Sequence, residues 1–121
     1  MAEGNSDHHV NYVEFTAPDL GAVKAFYAEA FGWAFTDWGP TYCGFSRASA
    51  GLDGGFEQGA GGQRGALVIL RADDLEATLA RVRAAGGEVV VEPFGFPGGR
   101  RFQFLDPAGN ELAVWTPVEG G

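Results

Sequence analysis

Residues 104–115 read FLDPAGNELAVW. The centre, Asp106-Pro107-Ala108-Gly109-Asn110, has the composition of a tight turn. Pro presets φ, Gly and Asn accept positive φ, and the Asp carboxylate can take nearby backbone N–H groups. A strand-like run, Glu111-Leu112-Ala113-Val114-Trp115, follows. Strand side chains alternate, so Glu111, Ala113 and Trp115 share one face and Leu112 and Val114 the other. A carboxylate beside an aromatic on a sheet face reads either as a metal ligand or base, or as a solvated strand-end residue.

Outward from this stretch, the chain repeats itself. Residues 17–32, APDLGAVKAFYAEAFG, align with residues 72–87, ADDLEATLARVRAAGG, at a constant offset of 55. Ala17/Ala72, Asp19/Asp74, Leu20/Leu75, Ala22/Ala77, Ala30/Ala85 and Gly32/Gly87 are identical pairs, and YVEF (12–15) falls over LVIL (67–70). Each copy predicts a strand, an aspartate whose carboxylate can cap a helix, and a helix with one apolar stripe. The stripes are Leu20, Val23, Tyr27 and Ala30, and Leu75, Leu79, Val82 and Ala85. Gly32 and Gly86-Gly87 then stop the helices. Short β-type runs follow at 33–38, 42–47 and 54–58 in the first copy and at 88–92, 101–105 and 111–116 in the second. Residues 48–64 and 93–100 read as Gly-rich loops. The plan is β-α-β-β-β twice, a single domain over 1–121 with modules at 10–58 and 65–117.

The bulk numbers fit one domain: 121 residues, 45% hydrophobic and 20% charged. A formal charge of −8 disfavours nucleic acid and anionic membranes, which need a basic footprint. Cys43 is the sole cysteine, so an intrachain disulfide and a cysteine-based metal cluster are excluded. MAEGNSDHHV lacks the basic region and apolar run of a signal peptide, and no apolar run approaches a membrane span. The expectation is a soluble, cytoplasmic protein.

The paired βαβββ plan, the FYAEAFGW segment (26–33) and DPAGNELAVW (106–115) resemble the glyoxalase/bleomycin-resistance/dioxygenase superfamily, also called the vicinal oxygen chelate group. The resemblance implies an α+β fold in which the two modules form a cupped mixed sheet with helices on the outside. It also implies four metal-ligand positions in the family's metal enzymes. These fall on Tyr12, Leu67, Ala113 and a residue within 54–58, where Glu57, with Asp53 nearby, is the available donor. Leu67 and Ala113 cannot ligate, and a neutral Tyr12 is a poor partner for Zn²⁺ or Mg²⁺. No metal and no cofactor are therefore expected. Glu111 lies two residues from the ligand height, as a solvated strand-end carboxylate.

Among the remaining candidates, Glu14 shares a strand face with Tyr12. A carboxylate in a partly apolar cavity can serve as a base or pair with a cation. Tyr12, Trp38, Tyr42 and Trp115 carry polar handles suited to a ligand wall. Tyr12, Glu14, Trp38, Tyr42, Glu57 and Trp115 form the expected ligand-binding set, with Tyr12 facing away from the helix-packed core. His8-His9 reads as part of a polar tail or strand margin, since adjacent strand residues point to opposite faces. Arg100-Arg101 reads as a solvent-facing pair or loop anchor, and Cys43 lacks a basic neighbour to make it a reactive thiol. The glycines between 54 and 62 match no phosphate-loop pattern. The leading expectation is a metal-independent binder of a small aromatic or cationic molecule, assembled as a homodimer. A glyoxalase-like lyase, isomerase or dioxygenase and a small interaction domain are the alternatives.

Overall fold

The computed structural model describes residues 7–60, 65–107 and 109–118. Ala108 and the stretch 61–64, read from sequence as turn and loop, lie outside the described residues. The elements are β1 (Val10–Ala17), α1 (Leu20–Phe31), β2 (Phe35–Asp37), β3 (Tyr42–Phe45), α2 (Arg47–Ala50), β4 (Gly54–Gln58), β5 (Leu67–Arg71), α3 (Leu75–Ala84), β6 (Glu88–Phe96), β7 (Gly99–Leu105) and β8 (Glu111–Pro117). The βαβββ order occurs twice, with the single turn of α2 added in the first copy. The chain divides into two compact units, residues 12–67 and residues 1–11 with 68–121.

In the 12–67 unit the strands lie in the order β2-β3-β4-β1. β1 and β4 run parallel, while β3 is antiparallel to both β2 and β4. Ala17, Cys43, Phe45 and Phe56 form the buried centre, and Val13, Phe15, Leu20, Val23, Tyr27, Trp33 and Phe35 pack around it. Aromatic rings fill much of this core: Trp33 stacks on Tyr27 at 4.7 Å and meets Phe45 at 4.7 Å. α1 therefore covers one face of the sheet through Leu20, Val23 and Tyr27, while Ala30, expected in its stripe, is exposed.

The other unit repeats this arrangement with the order β5-β8-β7-β6. β5 and β8 are parallel, and the β6–β7 and β7–β8 pairs are antiparallel. Ala72, Leu75, Phe102 and Val114 are its buried centre, joined by Leu70, Leu79, Val82 and Phe104. The two helix starts match closely. Asp19 accepts from the Ala22 N–H at 3.1 Å and Asp74 from the Ala77 N–H at 3.0 Å. Each satisfies a donor that the helix itself leaves open. Gly32 ends α1 at φ 75°, in the left-handed region where glycine carries no steric penalty.

Three local expectations are corrected. Residues 93–100, read as a loop, mostly extend the β6–β7 hairpin, since β6 runs to Phe96 and β7 begins at Gly99. β6 terminates the strand order of its unit, a position that accepts Pro93 because an edge strand has N–H groups with no ladder partner. Arg47, read as the end of a β-type run, and residues 48–50, read as loop, form α2. Residues 7–11, read in part as a polar tail, are docked on the second half of the chain. The His8 N–H donates to the Arg71 carbonyl at 2.6 Å, and the Arg71 N–H donates to His9 at 3.0 Å. The His8 ring bonds Thr78 on α3 at 3.1 Å. Asp7 accepts from the Asp73 N–H at 2.8 Å.

The turn at 106–110 follows its composition. Asp106 accepts from the Asn110 N–H and side-chain amide at 2.9 and 3.0 Å. Gly109 has φ 91°.

Candidate functional site

Alternation along β1 turns Val13, Phe15 and Ala17 toward α1, which leaves Tyr12, Glu14 and Thr16 on the opposite face. Strand register extends that face. Glu14 is the partner of Gly55, Gly55 of Gly44, and Tyr42 of Glu57. Directly paired residues project to the same side of a sheet. Two glycines thus occupy neighbouring positions in mid-sheet, neither with a side chain of its own.

Aromatic rings cover the space. A Cβ on Gly55 would stand 2.4 Å from the Tyr42 hydroxyl and 2.6 Å from its ring, and a Cβ on Gly44 would stand 2.8 Å from Trp38 Nε1. Tyr42 therefore lies across Gly55 and Trp38 across Gly44. β4 separates β3 from β1, and over its bare Gly55 the Tyr42 hydroxyl reaches Tyr12, Oη to Oη 2.6 Å. The Tyr42 phenol is pushed above its ordinary value. Burial is the main cause, followed by the negative charge of Glu14 and hydrogen bonds with Tyr12 and Glu14. Trp38 remains 68% exposed, a large apolar surface left in water beside this cluster.

The expected ligand-binding residues therefore fall into three groups. Tyr12, Glu14 and Tyr42 come together, with Trp38 beside them on the same face of the 12–67 unit. Glu57 shares the row of Tyr42 but is exposed. Trp115 belongs to the other unit, where its indole N–H donates to Asn11 at 3.2 Å and its ring lies 6.4 Å from Phe96. Sequence reasoning missed Gly44 and Gly55. A glycine inside a strand pattern signals close approach by another group, and YCGF (42–45) and GGFE (54–57) both carry one.

The donor set does not fit a divalent cation. Of the positions that the fold family uses, Leu67 is 3% exposed and Ala113 fully buried. Both are aliphatic, and Tyr12 is engaged with Tyr42. Among the described residues no group of three or more His, Cys, Asp or Glu side chains could hold a metal ion. Glu111 departs from the solvated role expected of it: it is half-buried and accepts from Gln103 Nε2 at 2.6 Å. Arg100 is exposed and paired with Glu76. That hydrogen bond holds the Glu76 carboxyl below its usual range and raises Arg100. Arg101, read as solvent-facing or loop-anchoring, instead lies over the Phe94 ring at 5.7 Å and donates to Gln103 at 3.0 Å. Burial pushes the Cys43 thiol up, the wrong direction for a nucleophile.

The second unit contains an open cavity of about 780 Å³ at the start of α3, lined by Arg71, Asp73, Glu76, Arg100, Thr116 and Pro117 among others. Both arginines there are committed, Arg71 to Asp73 at 2.6 Å and Arg100 to Glu76. It has no aromatic wall. The face of the 12–67 unit is the better candidate for a ligand because its rings and carboxylate offer both stacking area and polar contacts.

Residues 9–114 match the Glyoxalase/Bleomycin resistance protein/Dioxygenase superfamily. The chain belongs to this superfamily. Among its relatives, the anthracycline biosynthesis protein DnrV of Streptomyces peucetius is 33% identical over 124 residues, covering 86% of this chain and 45% of DnrV. DauV of Streptomyces sp. (strain C5), also an anthracycline biosynthesis protein, is 32% identical over 111 residues, covering 87% of this chain and 40% of its own. The chain thus spans less than half the length of these superfamily relatives. The Mn(II)-bound glyoxalase from Novosphingobium aromaticivorans superposes with a TM-score of 0.67 at 30% identity, over 88% of this chain and 38% of that one.

Proposed function

We propose that this superfamily member binds a small planar aromatic molecule, favouring a cationic one, on the Tyr12–Glu14–Trp38–Tyr42 face and without a metal. The observation that carries the reading is the pair of bare glycines, Gly44 and Gly55, overlaid by Trp38 and Tyr42 beside Glu14. Stacking on an indole and a phenol gives affinity for a flat ring, and a neighbouring carboxylate adds charge pairing for a cation. Kinship with two anthracycline biosynthesis proteins supports a polycyclic aromatic ligand. Calorimetric titration with proflavine, a planar aromatic cation, tests the proposal. Saturable binding of one equivalent per chain, weakened about tenfold by Trp38→Ala, is expected on the scale of a ring contact with charge assistance. Absence of saturable binding contradicts it.

A second reading, a metal-dependent lyase, isomerase or dioxygenase, draws support from the Mn(II)-bound glyoxalase at 30% identity. Metal analysis of tag-free protein grown in metal-supplemented medium separates the two. One equivalent of divalent metal per chain would favour the enzyme.

The proposed assembly is a homodimer in the cytoplasm. Phe26 and Phe31, 57% and 63% exposed on α1, support a covered surface, because an aromatic pair of this kind gains by leaving water. Sedimentation as a monomer at micromolar concentration contradicts the dimer. The −8 charge supports a small-molecule partner over nucleic acid or an anionic membrane.

A further inference from the structure

We infer that the unit containing α3 carries a ligand pocket of its own, between His8, α3 and the sheet, and that it takes a small apolar monocarboxylate the size of a single ring. The inference is independent of the aromatic-cation reading above, since it concerns other residues and a ligand of the opposite charge.

One wall comes from the spacing of α3. Thr78, Arg81, Val82 and Ala85 stand at i, i+3, i+4 and i+7, which puts them on one face of the helix, and they border a pocket of about 210 Å³. Leu70 of β5, Phe104 of β7 and Val114 of β8 supply its floor. Leu70, Val82 and Phe104 are only partly buried, so the core of this unit ends in an apolar opening. An apolar body that enters it gains by removing that surface from water. At about 30 Å³ for each water of the liquid, the space equals roughly seven waters. That is below the range of drug-sized sites and suits one ring or a short acyl chain.

The rim selects an anion. His8 and Arg81 are the ionisable side chains that line the pocket, and among the described residues no carboxylate lines it, in a chain of net charge −8. Arg83, in the same last turn of α3, pairs with Glu92 at 2.6 Å. Arg81 is exposed and has no such ion pair among the described residues. Its planar fork matches a carboxylate through two parallel N–H···O bonds. The His8 ring and the buried Thr78 hydroxyl, 3.1 Å apart, add polar groups on the same rim. Asp7 stands 3.8 Å from His8 Nε2 but lies outside the lining and accepts from the Asp73 N–H at 2.8 Å. Among the described residues His8 alone combines a side chain with positive φ, at 64°, a backbone uncommon outside glycine. Bonds from its N–H to the Arg71 carbonyl at 2.6 Å and from its ring to Thr78 hold the imidazole at the pocket edge.

The test titrates the full chain with phenylacetate, phenylacetamide and phenethylamine at low ionic strength, following backbone amide and side-chain methyl shifts by NMR. The three probes share one ring and differ in charge. Phenylacetate is expected to give saturable shifts in the millimolar range, ordinary for so small a ligand, at Leu70, Thr78, Arg81, Val82 and Phe104. Phenylacetamide should bind about fivefold more weakly, the upper end for a solvent-exposed ion pair, and phenethylamine more weakly still. Arg81→Gln should bring phenylacetate down to the affinity of the amide, and 0.5 M salt should do the same in the wild type by screening. The wild-type comparison of probes stands even if the variant fails to fold. Equal affinity for acid and amide, an affinity that ignores Arg81→Gln in a folded variant, shifts centred elsewhere, or no saturable shift overturns the inference.

Discussion

The hydroxyl oxygens of Tyr12 and Tyr42 stand 2.6 Å apart although 30 residues separate them in the chain. β1 and β3 are not adjacent, and β4 runs between them. The two phenols meet because β4 presents Gly55 at the crossing. A side chain there would hold them apart, so a residue with no functional group of its own determines whether the cluster exists.

Gly55→Ala tests this dependence. The added Cβ would fall 2.4 Å from the Tyr42 hydroxyl, and the ring would have to swing away. The expected cost is about 1–2 kcal/mol of stability, in the range of overpacked sites with one movable neighbour. Proflavine affinity should drop with it. A denaturant melt and a titration on the same sample check both. Unchanged binding would mean that Tyr42 is not part of the site.

Gly54→Ala and Gly44→Ala should differ sharply. At Gly54 a Cβ would meet the Val13 carbonyl at 2.4 Å and the Phe45 ring at 2.5 Å, one backbone and one core aromatic. Neither can yield cheaply, and a loss of about 3 kcal/mol is expected. At Gly44 the close neighbour is the exposed Trp38 indole, which can move into solvent. Stability should change by less than about 1 kcal/mol, and the effect should appear in proflavine binding. Denaturant midpoints of the two variants provide the comparison.

The raised Tyr42 phenol predicts an alkaline weakness. Below about pH 10 both folded and unfolded chains hold this proton. Above it the unfolded chain releases the proton while the folded chain retains it. The unfolded state then binds fewer protons and stability falls as pH rises. Tyr42→Phe should remove this contribution and flatten stability between about pH 10 and 11. Tyrosinate absorbance offers a second check. Folded wild-type and Tyr42→Phe proteins should coincide up to about pH 11, because Tyr42 remains neutral there. An extra ionising phenol in the wild type at lower pH contradicts the assignment.

Asp74→Ala removes the side-chain acceptor of the Ala77 N–H at the start of α3. A loss of about 1 kcal/mol is expected, the usual effect of deleting an N-cap. Asp74→Asn should restore most of it. Thermal or denaturant unfolding measures both.

Much of this architecture is legible in the sequence. The offset repeat placed Asp19 and Asp74 at helix starts because one carboxylate can satisfy open N–H groups in either copy. The period of the apolar residues assigned Leu20, Val23 and Tyr27, and Leu75, Leu79 and Val82, to buried stripes. Pro93, Gly95 and Gly98 suggested a loop where the chain forms a hairpin, because composition alone does not report that β6 is an edge. Residues 7–9 read as a polar tail since their anchors, Arg71, Asp73 and Thr78, lie more than 60 residues away in sequence. On the candidate face, alternation along β1 was enough to pair Tyr12 with Glu14. The meeting with Tyr42 was not readable, because it depends on which strand lies between β1 and β3 and on that strand lacking a side chain at one position.

Amide chemical-shift mapping during a proflavine titration tests the central claim most directly. Saturable shifts are expected to concentrate at Tyr12, Glu14, Trp38, Tyr42, Gly44 and Gly55, with Trp38 Nε1–H among the largest. Shifts confined to the cavity at the start of α3, around Arg71, Glu76 and Arg100, or no saturable shifts at all, would contradict it.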